Sequence, residues 1–171
     1  MAKQTGMSID AIAKGAVLFF QQGLSDKEAM KMTQIAAEFA KVADITVESA
    51  SDKLTAAVNG YNMAVSQAAD VADKLNVLAA ESAASIDELA TAMEKGASMA
   101  SQSGLSFDQY NAILATMIEV TREAPENIGT SMKTIMARFQ QIKEAGTTED
   151  GDTDVNAVET ALKSVGVSLR D

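Results

Sequence analysis

The chain has no cysteine, no histidine and no tryptophan, one proline, and only 4% aromatic residues. Each scarcity removes a class of explanation. Without cysteine there is no disulfide framework and no thiolate chemistry, and the redox compartment stays open. Without histidine the commonest general base and the commonest metal ligand are gone. A Ser or Thr nucleophile would need an activating base, and no motif supports Lys-assisted Ser chemistry. No Gly-x-x-x-x-Gly-Lys phosphate loop occurs. The longest apolar run, Ala16-Val17-Leu18-Phe19-Phe20, is far short of the roughly 20 residues that a membrane span requires. It reads as a buried helix face rather than an interfacial anchor. Lys3 leads into polar Gln4-Thr5 and not into the apolar core of a signal peptide.

What is present is apolar and small. Hydrophobic residues make up 47%, within the globular range, so a real core is attainable. Much of that fraction is Ala, which predicts close helix–helix contacts, with Leu, Ile, Val and Met as filler. The ten Met residues read as soft packing material rather than a promiscuous groove. The net charge of −10 disfavours nucleic-acid binding, which needs clustered cations, and favours solubility.

Acidic residues number 24, enough to raise the question of acid chemistry. Glu149-Asp150-Gly151-Asp152-Thr153-Asp154 loosely suggests a calcium loop. The loop pattern needs Gly at its sixth position and Glu at its twelfth, and counting from Glu149 those places hold Asp154 and Thr160. A solvated acidic loop is the better reading. Asp70 with Asp73, or Asp87 with Glu88, could form an acid/base pair, but each sits on an amphipathic helix where exposure is the default. No cofactor, no metal and no enzymatic activity are expected.

Helix starts are marked firmly. Gly23-Leu24-Ser25-Asp26-Lys27-Glu28 and Gly104-Leu105-Ser106-Phe107-Asp108-Gln109 both place Ser three residues before Glu or Gln, and Ser85-Ile86-Asp87-Glu88 repeats the spacing. This is the capping box, which predicts Ser25 with Glu28, Ser85 with Glu88 and Ser106 with Gln109 as reciprocal caps. The fold class is therefore all-α: an Ala-rich bundle of seven or eight short amphipathic helices. The first runs from Ser8 to about Gln22, with Ile9, Ile12, Ala16, Phe19 and Phe20 on one face. The second follows Ser25, and Thr46 can cap a third that breaks at Asn59-Gly60. A fourth covers roughly Ala64 to Ser82, and a fifth starts at Ser85. A sixth starts at Ser106 and stops at Pro125, which suits the first turn of the seventh. The predicted core includes Phe39, Leu54, Leu75, Leu89, Met117, Ile135 and Phe139.

Three regions follow: a helical bundle over 1–144, an acidic loop over 145–153, and a short helix from about Asp154 to Ser164 within 154–171. Val165 to Asp171 alternates like the start of a strand, and the chain is expected to continue beyond it. The helix starts at Ser25 and Ser106 lie 81 residues apart. Sliding one on the other aligns Met32 with Ile113, Ala36 with Met117, Phe39 with Val120, Leu54 with Ile135 and Val58 with Phe139. That admits a duplicated helix pair, although any two amphipathic hairpins align about this well.

Val71-Ala72-Asp73-Lys74-Leu75, Ser82-Ala83-Ala84-Ser85-Ile86-Asp87-Glu88-Leu89, Gly104-Leu105-Ser106 and Gly129-Thr130-Ser131-Met132-Lys133 stand in this order. The last continues as Thr134-Ile135-Met136-Ala137-Arg138-Phe139. Leu54-Thr55-Ala56-Ala57 precedes them and Ala161 to Val167 follows. Together they resemble the core of tailed-phage tail tape measure proteins, over roughly residues 8 to 171. Pro125 departs from the Gly-Ile or Val more usual near that point, which bears on the turn geometry. The resemblance implies a structural virion protein that occupies the tail tube lumen, sets tube length during assembly in the host cytoplasm, and is expelled at DNA ejection. It implies tail assembly chaperones, the tube protein, baseplate proteins and further copies of the chain as partners, with membrane contact only during ejection. It implies no catalytic residues in this core. Breaks at Gly23, Gly60, Gly104 and Pro125 predict a compact module rather than an extended ruler. The alternatives are a generic helical interaction domain of a bacterial or secreted effector, and a membrane-active helical protein.

Overall fold

A computed structural model describes residues 6–144. Seven α-helices follow one another: α1 (Ile9–Gln21), α2 (Asp26–Ala43), α3 (Val47–Gly60), α4 (Ala68–Glu81), α5 (Ile86–Gln102), α6 (Phe107–Thr121) and α7 (Pro125–Glu144). A single 3-10 turn, Val65–Gln67, leads into α4. No strand occurs among the described residues. The acidic loop, the short helix and the strand-like end expected beyond residue 144 lie outside them.

Three tripeptides turn the chain, and each uses its residues in the same way. Gly23, Asp44 and Gly104 adopt left-handed backbone at φ 79°, 57° and 83°, which lets the next N–H reach back to the helix just ended. Leu24 N bonds Phe19 O at 3.4 Å, Ile45 N bonds Ala40 O at 3.0 Å, and Leu105 N bonds Ala100 O at 3.0 Å. Leu24, Ile45 and Leu105 pack on the core, and Ser25, Thr46 and Ser106 then start the next helix. Asp44-Ile45-Thr46 thus does without glycine what Gly-Leu-Ser does twice.

The caps take their reciprocal form. Ser85 N donates to Glu88 Oε2 at 2.7 Å, and Glu88 N donates to Ser85 Oγ at 3.2 Å. Ser106 N donates to Gln109 Oε1 at 2.9 Å, and Gln109 N donates to Ser106 Oγ at 3.1 Å. At Ser25 the backbone N–H and the hydroxyl both donate to the Glu28 carboxylate, at 3.1 and 2.6 Å. Pro125 opens α7 as its first residue, and the N–H groups of Asn127 and Ile128 both reach Ala124 O, at 2.9 and 3.2 Å.

Helix α5 is the centre of the bundle and touches α2, α3, α4, α6 and α7. Small residues allow this. A Cβ at Gly60 would meet Ala97 Cβ at 2.7 Å, and one at Gly129 would run into the Ala92 carbonyl. Gly96 faces Met136, and Gln140 Nε2 donates to Ser103 Oγ at 3.3 Å. These contacts advance in the same direction on both helices, so α5 and α7 run parallel.

Phe39, Leu54, Leu75 and Leu89 are buried, and Met117 is half-buried against the core. Ile135 and Phe139 are not core: they are 44% and 61% exposed. At 100° per residue they lie about 20° either side of Ile128 on the helix, and Ile128 is buried. The apolar line is continuous in sequence but its cover is not, because α5 lies against the adjacent face of Gly129, Met136 and Gln140. Helix α1 needs a similar correction. Phe19 and Gly15 are buried, whereas Ile9, Val17 and Phe20 face outward, so the run Ala16–Phe20 is only partly a buried face.

Candidate interaction surface

Three of the four acids weighed as catalytic pairs are otherwise engaged. Asp70 pairs with Lys74 at 3.4 Å and Asp87 with Lys53 at 3.5 Å, while Glu88 caps α5. Hydrogen bonds from Ser85 hold the Glu88 carboxyl below its ordinary range. No group of three acids that could hold a metal ion occurs among the described residues. None of their helices is long and apolar enough to cross a membrane.

What remains is a surface built around α4. Val71 and Leu75 of the Val-Ala-Asp-Lys-Leu stretch are buried, which turns its two charged residues to the rim. Lys74 bridges to α6: its Nζ lies 3.0 Å from Asp108 Oδ1 and 6.0 Å from the centre of the Phe107 ring. The hydrogen bond to Asp108 raises the Lys74 pKa. Phe107 meets Tyr61 edge-on at 5.5 Å, so the end of α3, the middle of α4 and the start of α6 lock at one point.

Grooves open on both sides of α4. One, of about 220 Å³, lies towards α2 and is lined by Ile35, Phe39, Val42, Ala72 and Asp73. The other, of about 330 Å³, lies towards α6 and is lined by Asp73, Lys74, Val77, Leu78, Phe107 and Asn111. Asn111 is buried; its Nδ2 donates to Phe107 O at 2.8 Å, and its Oδ1 has no partner. A buried acceptor left unpaired costs free energy. Tyr110 beside it is likewise buried with an unpartnered hydroxyl, and burial pushes its pKa up to about 12. That hydroxyl occupies the space left by Gly96.

Sequence reasoning found the caps and did not find this cluster. Lys74 and Gly129 stand in the ordered pattern of motifs with no physical role read from the sequence, and Asp73 reads there only as half of an acid pair. Asn111 gave one weak signal, an amide beside the apolar stripe of α6. The Lys74–Asp108 bridge joins residues 34 positions apart, a relation that no local pattern carries.

A family model described as phage-related minor tail protein matches residues 1–171. No solved structure matches the chain.

Proposed function

Because the chain belongs to the phage-related minor tail protein family, and so to the tail of the virion, we propose that it is a compact helical module of a tape measure protein. In that role the whole protein lies in the tail tube lumen, sets tube length during assembly and leaves at DNA ejection. The observation that carries this reading is the family match along the full length, joined to the ordered motifs from Val71 to Phe139. The module works by docking and not by catalysis. Its partners are tail assembly chaperones, the tube protein, baseplate proteins and further copies of itself.

The fold restricts which part of that work the module does. A ruler gains length at about 1.5 Å per residue of helix. The longest helix here has 20 residues, or about 30 Å; it and α2, α3, α4 and α6 pack around α5, and α1 folds back on α2 and α3. Laid end to end as one helix, the described residues would reach about 200 Å. The ruler stretch therefore lies elsewhere in the tape measure, and this module organises an end or an attachment.

Two experiments test the proposal. Mass spectrometry of purified tail particles should find the tryptic peptide Gly96–Arg122; its confinement to particle-free lysate would contradict a virion role. An in-frame deletion of residues 9–144 should abort assembly or leave tail length unchanged in electron micrographs. Tails shortened by about 200 Å would mean that the segment is ruler after all.

A further inference from the structure

The groove between α4 and α6 carries a charge pattern that the fold does not use. Asp73, Val77 and Glu81 line it from successive turns of α4, and residues four apart on a helix are neighbours. Both acids are exposed, and among the described residues neither pairs with a cation. Lys74, which lines the same groove, is already matched by Asp70 and Asp108. Glu81 is the last residue of α4, where a negative charge opposes the helix dipole, so its charge does nothing for its own helix. Between the two acids the lining is apolar: Val77 is 55% exposed, Leu78 is half-buried and Phe107 is buried. Asn111, also in the lining, adds a buried Oδ1 without a partner, an acceptor that gains from a donor brought to it.

We infer that this groove docks an amphipathic helix of another protein. An apolar side chain of that helix enters over Val77, Leu78 and Phe107, and a Lys or Arg at each end meets Asp73 and Glu81. Spacing sets the register: eight residues of α4 span about 12 Å, so the two cations stand about seven or eight residues apart on the partner. The same acids disfavour the other occupants. Nucleic acid and anionic lipid need clustered cations, and a second copy of this chain brings a net charge of −10 against an acidic rim. The inference gives a partner chemistry to the docking role proposed above and rests on that role alone. Particle mass spectrometry and tail length decide the place in the tail; peptide binding decides the groove.

The probe is a labelled Ala-based helical peptide of roughly 16 residues, with two Lys about seven residues apart flanking a Leu pair on one face. A control peptide of identical composition carries one Lys on the opposite face. Binding to the whole 171-residue chain is followed by fluorescence anisotropy. The first peptide should bind at least about fivefold more tightly than the control. Asp73→Asn with Glu81→Gln should weaken it by about tenfold. Glu48→Gln with Glu126→Gln removes the same charge elsewhere and should change it less than about twofold. Circular dichroism checks that both variants keep their helices. Equal losses in the two variants would reduce the effect to general attraction by an acidic protein and overturn the inference. Equal affinity for the two peptides, or no saturable binding below about 1 mM, would overturn it too.

Discussion

The pair α2–α3 and the pair α6–α7 are both launched by Gly-Leu-Ser and a capping box, yet they meet different surroundings. Positions that align between them differ in burial: Phe39 is 3% exposed and Val120 is 75% exposed. Leu54 and Val58 are buried where Ile135 and Phe139 are open. The first pair lies among α1, α4 and α5, whereas α7 packs chiefly on α5 and only lightly on α6. The turns differ as well. Asp44-Ile45-Thr46 supplies a left-handed residue, an apolar plug and a cap. Arg122-Glu123-Ala124 supplies only the first, at φ 55°, and Arg122 Nη1 donates instead to Ala83 O at 3.2 Å. A shared start signal fixes where a helix begins and says nothing about how many neighbours it acquires.

The largest expected effect tests that difference directly. Phe39→Ala should destabilise the chain by about 3–5 kcal/mol, while Val120→Ala should stay within about 0.5 kcal/mol. Denaturant titration with a common slope decides it; equal losses would dissolve the contrast between the two pairs.

The next concerns what attaches the second pair. Gly129→Ala removes a residue that costs a helix about 1 kcal/mol relative to Ala. The added Cβ, however, meets the Ala92 carbonyl and Lys95 Cβ, and overpacking of this kind costs about 1–3 kcal/mol. The clash involves backbone and should win, lowering the melting temperature. A rise would mean that α5 and α7 do not approach at Gly129.

Smaller is the loss of a cap. Ser106→Ala should cost about 1 kcal/mol, seen as faster amide exchange in the first turn of α6 than elsewhere in that helix. Uniform exchange through α6 would argue against the box.

The smallest effect separates the two boxes by chemistry. Hydrogen bonds from Ser25 hold the Glu28 carboxyl below its ordinary value. A depressed folded pKa adds stability that is present above the unfolded value, about 4.3, and is lost as pH falls through the folded one. The corresponding Gln109 does not titrate. Fraying of α2 should therefore increase on acidification below about pH 4, and Glu28→Gln should reduce that dependence, whereas Gln109→Ala should leave the acid response of α6, which comes from the Asp108–Lys74 pair, in place. Acid fraying that persists undiminished in Glu28→Gln would assign it to another carboxylate.

Local patterns carried a great deal. The seven helices among the described residues, the three boxes, the turns at Gly23 and Gly104, and Pro125 at the head of α7 were all legible, because caps and breakers act within four residues. The Asp44-Ile45-Thr46 turn was half legible: Thr46 announced a cap, but an aspartate in left-handed backbone does not announce itself as glycine does. In the candidate surface, the buried face of α4 could be read from Val71 and Leu75, whereas Asn111, the Lys74 bridge and the Gly96–Tyr110 fit could not.

The sequence by itself determined the all-α class, the family, and where most helices start and stop, since these depend on residue type and short spacing; α4 is the exception, for the expected start near Ala64 is a 3-10 turn and the α-helix opens at Ala68. Only the tertiary structure decided that α5 is the hub, that Gly129 is a contact rather than a hinge, and that the apolar line of α7 is covered at Ile128 and bare at Phe139. Periodicity tells which side of a helix is apolar. Whether a neighbour reaches that side depends on how elements far apart in the chain share a finite core.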